Sequence, residues 1–200
     1  FIWQATHKDA ASYLTPPKLA VLHDAAVAQC DALDGVKDGV LEDPTRCKFD
    51  PKVVECKGGP TGGQADGPNC LTTPQVEAAR KIYAGAKNAR GGQVFSGLMP
   101  GSELGWAASA GAVPVGYAAD VYKYVVFRDG KWDPMTLNYD GDIAKADKVV
   151  GQLTAIDPNL TKLLSRGKLL IYHGWSDPGI PPGYTPEYYR NVLAKTNVKN

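Results

Sequence analysis

The sequence has no C-x-x-C pair, no G-x-S-x-G, only three histidines and two methionines, and no cysteine after residue 70. Without C-x-x-C, zinc-ribbon and thioredoxin chemistry have no footing. Without G-x-S-x-G, the chain holds no nucleophile elbow of the α/β-hydrolase kind. No apolar run approaches the ~20 residues that span a membrane. Charge of one sign is also missing: 22 Lys+Arg against 21 Asp+Glu give a formal net charge of +1. That balance argues against a nucleic-acid binder, which carries a basic excess or stripe. The opening Phe1-Ile2-Trp3-Gln4 shows neither a basic n-region nor an apolar h-region, so a mature segment or a piece of a longer chain is expected.

A hydrophobic share of 44% over 200 residues is enough for a packed core and excludes wholesale disorder. Glycine and proline are abundant, 22 and 15 residues, so long connections are expected. The four cysteines, Cys30, Cys47, Cys56 and Cys70, cluster in a polar, turn-rich stretch. An even, clustered count favours disulfides and an oxidising compartment, hence a secreted or periplasmic protein. Sequence adjacency favours Cys30–Cys47 and Cys56–Cys70, although four cysteines allow three connectivities.

Thr15-Pro16, Thr73-Pro74, Asp157-Pro158 and Thr185-Pro186 each fit an N-cap followed by proline in the first helical turn. The first predicts a helix with Leu19, Leu22 and Ala26 on one face. The second has Glu77 placed for a capping box. The third predicts a short helix through Leu163-Leu164, and the fourth a helix over Glu187–Leu193. A weaker helical pattern joins Ile143, Val149, Val150 and Leu153. Lys168–His173, a short apolar run between Gly167 and Gly174, predicts a buried parallel strand, and its sheet partners have to come from elsewhere. The fold class expected is α/β.

Cys30-Asp31-Ala32-Leu33-Asp34-Gly35-Val36-Lys37-Asp38-Gly39-Val40-Leu41 sets three carboxylates at spacings of three and four. Calcium takes six to eight oxygens from carboxylates and carbonyls. The expected shell is the Asp31, Asp34 and Asp38 side chains with the Val36 and Val40 carbonyls. It is not an EF-hand, whose first, third and fifth positions here are Asp31, Leu33 and Gly35. An exposed, turn-rich acidic loop with no ion also fits this pattern. Past the predicted strand, His173-Gly174-Trp175-Ser176-Asp177-Pro178 offers two catalytic residues. Ser176 is a poor nucleophile candidate, because the glycines and prolines that follow forbid the helix an elbow runs into. Asp177, just beyond a strand's carboxyl end, suits the acid that orients a catalytic histidine. His7, His23 and His173 read as structural.

Together these residues resemble the tannase and feruloyl esterase family. The resemblance rests on Cys30-Asp31-x-x-Asp34-Gly35-x-x-Asp38-Gly39-x-Leu41 followed by Cys47, on Pro100-Gly101-Ser102-Glu103 with Trp106, and on His173-Gly174-x-x-Asp177. It implies an α/β-hydrolase whose large, loop-rich, disulfide- and calcium-stabilised lid is inserted before the acid-bearing strand. Residues 1–9 would end a catalytic-domain segment, 10–160 would be the lid, and 161–200 would return to the catalytic domain. It implies a serine esterase acting on esters of phenolic acids, feruloyl or galloyl in type, with Asp177 as triad acid and one structural Ca²⁺. The nucleophilic serine would precede Phe1 and the histidine would follow Asn200, as would the cysteines that the family pairs beside them. The 200 residues alone would then be inactive. Expected partners are a small phenolic ester and the remainder of the same enzyme, with no nucleic acid and no membrane. Ile180, Trp106 and Trp132, together with Trp175 and the stretch Tyr117–Tyr124, offer surface for a phenolic ring. The rival reading is a secreted, calcium-stabilised binding module without chemistry. It leaves His-Gly-x-x-Asp unexplained.

Overall fold

The computed structural model describes residues 1–58 and 66–196. Regular structure among them is helical, apart from one small ribbon. The first three helices are α1 (Ile2–His7), α2 (Pro16–Cys30) and α3 (Thr73–Ala84). A two-stranded antiparallel ribbon follows, β1 (Ala86–Lys87) and β2 (Gln93–Phe95). Then come α4 (Ala107–Ala110) and α5 (Gly116–Asp120), the latter running into a π-helical turn, Val121–Phe127. Last are α6 (Gly141–Val150), α7 (Thr161–Leu164) and α8 (Tyr184–Thr196).

Proline placement explains several helix starts. Pro16 lacks the N–H that a first turn cannot use anyway, and α2 runs from it for 15 residues. Leu19, Leu22 and Ala26 are buried, as their spacing predicts. Helix α3 begins one residue earlier than expected. Its capping box uses Gln75 rather than Glu77: Gln75 Oε1 accepts from the Thr72 amide at 2.9 Å. Asp157-Pro158 opens a turn instead of a helix. The Asp157 carboxylate accepts from Asn159 N at 2.9 Å, and α7 is a single turn that begins at Thr161.

The core lies where α1, α2 and α3 meet the segment before α4. Leu14, Leu19, Leu22, Leu71, Val76, Ala79, Ile82, Leu98 and Trp106 are each at most 1% exposed. Burying a side chain of leucine size contributes about 1.5–3 kcal/mol. Tyr83 joins this core edge-on to Trp106, with ring centroids 5.0 Å apart, and Phe49 meets Tyr83 at 6.1 Å. The chain turns sharply after α3. A Cβ on Gly97 would lie 1.8 Å from the Tyr83 carbonyl oxygen, and one on Gly85 (φ +71°) 2.1 Å from the Phe95 carbonyl oxygen.

Both cysteine pairs are joined as sequence adjacency favours. Cys30–Cys47 has Cα atoms 5.5 Å apart and Cys56–Cys70 4.9 Å. Buried Lys18 reaches from α2 into the second loop, where Nζ donates to Asp66 Oδ1 and to the carbonyls of Gly67 and Cys70.

The predicted strand does not form. Residues 168–173 pair with nothing among the described residues, and Leu170 and Tyr172 are 87% and 91% exposed. A strand exists only with a neighbour about 4.8 Å away to take its N–H and C=O groups. The apolar run was legible; its burial depends on partners that these residues do not supply.

Candidate active site

Asp177 sits in a turn at the end of that unpaired run. Its Oδ1 accepts from Gly179 N at 2.8 Å and Ile180 N at 2.9 Å, while Oδ2 lies 3.3 Å from His173 Nε2. The Ile180 amide foremost, with that of Gly179 and the His173 ring, holds this carboxyl below the usual range. The other His173 nitrogen, Nδ1, is 2.6 Å from the Thr185 hydroxyl on α8. A tautomer with the proton on Nε2 satisfies both contacts. The Asp177 side chain remains 37% exposed, so it is anchored yet reachable. Ser176 is exposed and has no base arranged on it.

The acid loop packs on the core rather than hanging free. Its Pro178 ring closes on Gly105, and Gly183 abuts Ser96. A cavity of about 300 Å³ opens beside it. Gly179 and Pro181 form one rim, and the walls are mainly aromatic and apolar: Phe1, Trp3, Phe95, Tyr122, Trp132 and Leu137. Tyr122, Phe127 and Trp132 form a stacked trio with centroids 5.2–6.3 Å apart. Burial, with Asp142 and Asp147 nearby, raises the Tyr122 phenol, which therefore stays neutral.

Of the residues expected to meet a substrate, Trp132 and the Tyr117 and Tyr122 rings line this cavity. Trp106 does not. It is fully buried, and its indole N–H donates to Ser102 Oγ at 2.9 Å, so its place is the core. Ile180 is 62% exposed and is not among the residues that line the cavity, although its amide donates to Asp177 Oδ1. Trp175 is half-buried and does not line the cavity.

Most of the cavity wall escaped sequence reasoning, its aromatic residues Phe1, Trp3 and Phe95 included. An aromatic pair at spacing two was their only signal. A buried polar cluster was missed as well. Glu103, fully buried, accepts from the Tyr83 hydroxyl at 2.6 Å and the Gly101 amide at 2.9–3.0 Å, and sits 3.0 Å from His23 Nδ1. Burial, and then Glu103, push the Tyr83 phenol well above its ordinary range.

The acidic loop leaves α2 through a 3₁₀ turn, Asp31–Asp34, and bends at Gly35 (φ +98°) and Gly39 (φ +83°). Asp31 is 4% exposed, and its Oδ1 accepts from the amides of Asp38 and Gly39 at 3.3 and 3.0 Å. Asp34 and Asp38 each accept from the amide two residues on, at 2.9 and 3.0 Å. Val36 and Val40 are exposed. Among the described residues no three His, Cys, Asp or Glu side chains gather into a metal cluster. The donor chemistry, all oxygen and turned by glycines, is that of a hard cation.

The comparisons with known proteins point one way. The family described as tannase and feruloyl esterase matches residues 2–199. An uncharacterized esterase of Xanthomonas campestris is 35% identical over 95% of this chain and 36% of its own length. A probable feruloyl esterase B-1 of Aspergillus oryzae is 30% identical over 99% of the chain and 36% of its own. The chain thus spans about a third of the length of the curated relatives it matches. Among solved structures, feruloyl esterase B from Aspergillus oryzae superposes with a TM-score of 0.89 at 30% identity, over 99% of this chain and 39% of that one. Tannin acyl hydrolase from Aspergillus niger shares the fold, with a TM-score of 0.71 at 19% identity over 100% and 41%. The chain belongs to the tannase and feruloyl esterase family.

Proposed function

We propose that this chain is the lid and acid-bearing segment of a secreted or periplasmic serine esterase that hydrolyses esters of phenolic acids. The observation that carries the reading is that the loop holding Asp177 also lines an aromatic-walled cavity. One loop, residues 177–181, supplies both an anchored carboxylate and the cavity rim.

Residues 10–160 are the lid on this reading. Residues 1–9 and 161–200 belong to an α/β-hydrolase core, in which 168–173 joins a sheet. The Asp177 carboxylate accepts the Nδ1–H of the catalytic histidine. It thereby fixes the ring's tautomer and stabilises the imidazolium formed when the serine gives up its proton. Its two backbone amides keep it ionised and aimed. The cavity takes the aromatic acyl group, whose ring lies against Trp132 and Tyr122. Nucleophile, histidine and oxyanion donors come from the remainder of the enzyme. These 200 residues by themselves turn over no phenolic ester.

The acidic loop binds one structural calcium ion through Asp31, Asp34 and Asp38 and the Val36 and Val40 carbonyls. The support is a nearly buried Asp31 carboxylate that accepts from two amides and, among the described residues, forms no ion pair. The ion ties α2 to the loop that Cys30–Cys47 closes and takes no part in chemistry.

The test is hydrolysis of feruloyl, galloyl and short aliphatic esters by the full-length enzyme that contains this segment. Turnover of phenolic esters, lost in Asp177→Asn with the fold intact, is the expected result. An enzyme indifferent to phenolic esters, or one untouched by Asp177→Asn, would overturn it.

A further inference from the structure

We propose that Gln4 is a positioning residue that sets the width of the aromatic cavity, and through it the preference for bulky phenolic acyl groups. The inference rests on the cavity being the acyl site.

Gln4 lies on α1 and itself lines the cavity, and its side-chain amide is fully engaged across a sequence gap of more than 120 residues. Nε2 lies 3.1 Å from the Pro134 carbonyl, 3.0 Å from that of Met135 and 3.2 Å from that of Leu137. Two N–H groups are shared among three acceptors. Its Oε1 accepts from the Tyr139 hydroxyl. Only a carboxamide of this length can donate to three carbonyls and accept from a phenol together. Burial pushes the Tyr139 phenol up to about 12, so it stays a donor at any working pH.

What Gln4 grips is a cavity wall. Pro134 and Leu137 line the same space as Phe1 and Trp3, as does Trp132 just before them in sequence. The 134–136 segment is a single 3₁₀ turn. Tyr139 also packs edge-on against Phe95 at 6.1 Å, and Phe95 stacks on Phe1 at 5.6 Å and 10°. Gln4, Tyr139, Phe95 and Phe1 are therefore linked in one chain of contacts, and Gln4, Phe95 and Phe1 of that chain line the cavity. Loss of the amide frees the wall to drift by an ångström or more, a scale at which shape selectivity for a planar ring is lost. A small acyl group, which does not fill the space, is less sensitive.

The experiment compares kcat/KM for 4-nitrophenyl ferulate and 4-nitrophenyl acetate, which share a leaving group, in the full-length enzyme. Because both esters use the same nucleophile and histidine, their ratio cancels general damage to the catalytic machinery. Gln4→Met keeps the length and removes the amide. It should lower the ferulate-to-acetate ratio about tenfold, mostly through KM for the ferulate ester. Tyr139→Phe deletes one hydrogen bond and keeps the ring. It should lower the ratio about threefold, and it carries the test if Gln4→Met folds poorly. A ratio unchanged in both variants, or equal losses on both esters, overturns the proposal. A wild-type enzyme with no preference for ferulate would instead sink the acyl-site reading, and this inference with it.

Discussion

A Cβ atom on Gly105 would lie 2.7 Å from Cγ and 3.0 Å from Cβ of Pro178, the residue that follows Asp177. The contact joins the buried Glu103–Trp106 turn to the acid loop. A proline ring cannot swing aside as a long side chain does, so any residue larger than glycine at 105 has to move the loop. Gly105→Ala should lower kcat about tenfold with a smaller change in KM, since it shifts a catalytic group and leaves the cavity walls in place. Unchanged steady-state kinetics would show that the loop slides without moving Asp177.

Asp177→Asn should leave the circular dichroism spectrum unchanged and lower kcat by about 10⁴-fold, the size found when a triad acid is replaced and the histidine tautomer is lost. The pH dependence follows from the lowered carboxyl value. A group whose folded value lies below its unfolded value of about 3.9 contributes stability above that value and loses it as pH falls through the folded one. Asp177 is therefore ionised throughout pH 5–8. A fall in activity within that window comes from a histidine. A shift of the acid limb in a variant that removes the Gly179 and Ile180 amide bonds would locate the limb on Asp177 instead.

Chelation tests the acidic loop. Calcium at 100 times its dissociation constant should stabilise the fold by about 2.7 kcal/mol. EDTA should lower the melting temperature, and Asp34→Ala should abolish the difference. Equal melting curves in EDTA and excess calcium would leave Asp31 as a carboxylate satisfied by amides alone.

The Glu103 cluster should dominate the stability of the helical core. Glu103→Leu strands the Tyr83 hydroxyl and the Gly101 amide and removes the partner of His23. It should cost about 3 kcal/mol, as breaking a buried polar network does. Tyr83→Phe should cost less, about 1.5 kcal/mol. Chemical denaturation of both variants gives the comparison, and equal losses would contradict this ranking.

Which features could be read from the chain depends on how locally they are determined. Helix α2 and the burial of Leu19, Leu22 and Ala26 were legible because proline and side-chain period act within a few residues. Cys30–Cys47 and Cys56–Cys70 followed from short loops. The turn at Asp177 was legible from the prolines and glycines around it. The cavity was not, since its walls come from residues 1–4, 95, 114–122 and 132–137, and no local pattern links them. Trp106 was misplaced because tryptophan spacing does not say which face of a turn is inward. Lys168–His173 kept its strand character in sequence but not in structure, for want of neighbours.

That unpaired run also governs how the 200 residues behave when made alone. Lys168-Leu169-Leu170-Ile171-Tyr172-His173 is apolar, free of glycine and proline, and carries a single formal charge. Open N–H and C=O groups along such a stretch are a template for another copy of itself. At high concentration the isolated segment should lose solubility by strand-to-strand association, and Leu170→Lys should raise the concentration it tolerates.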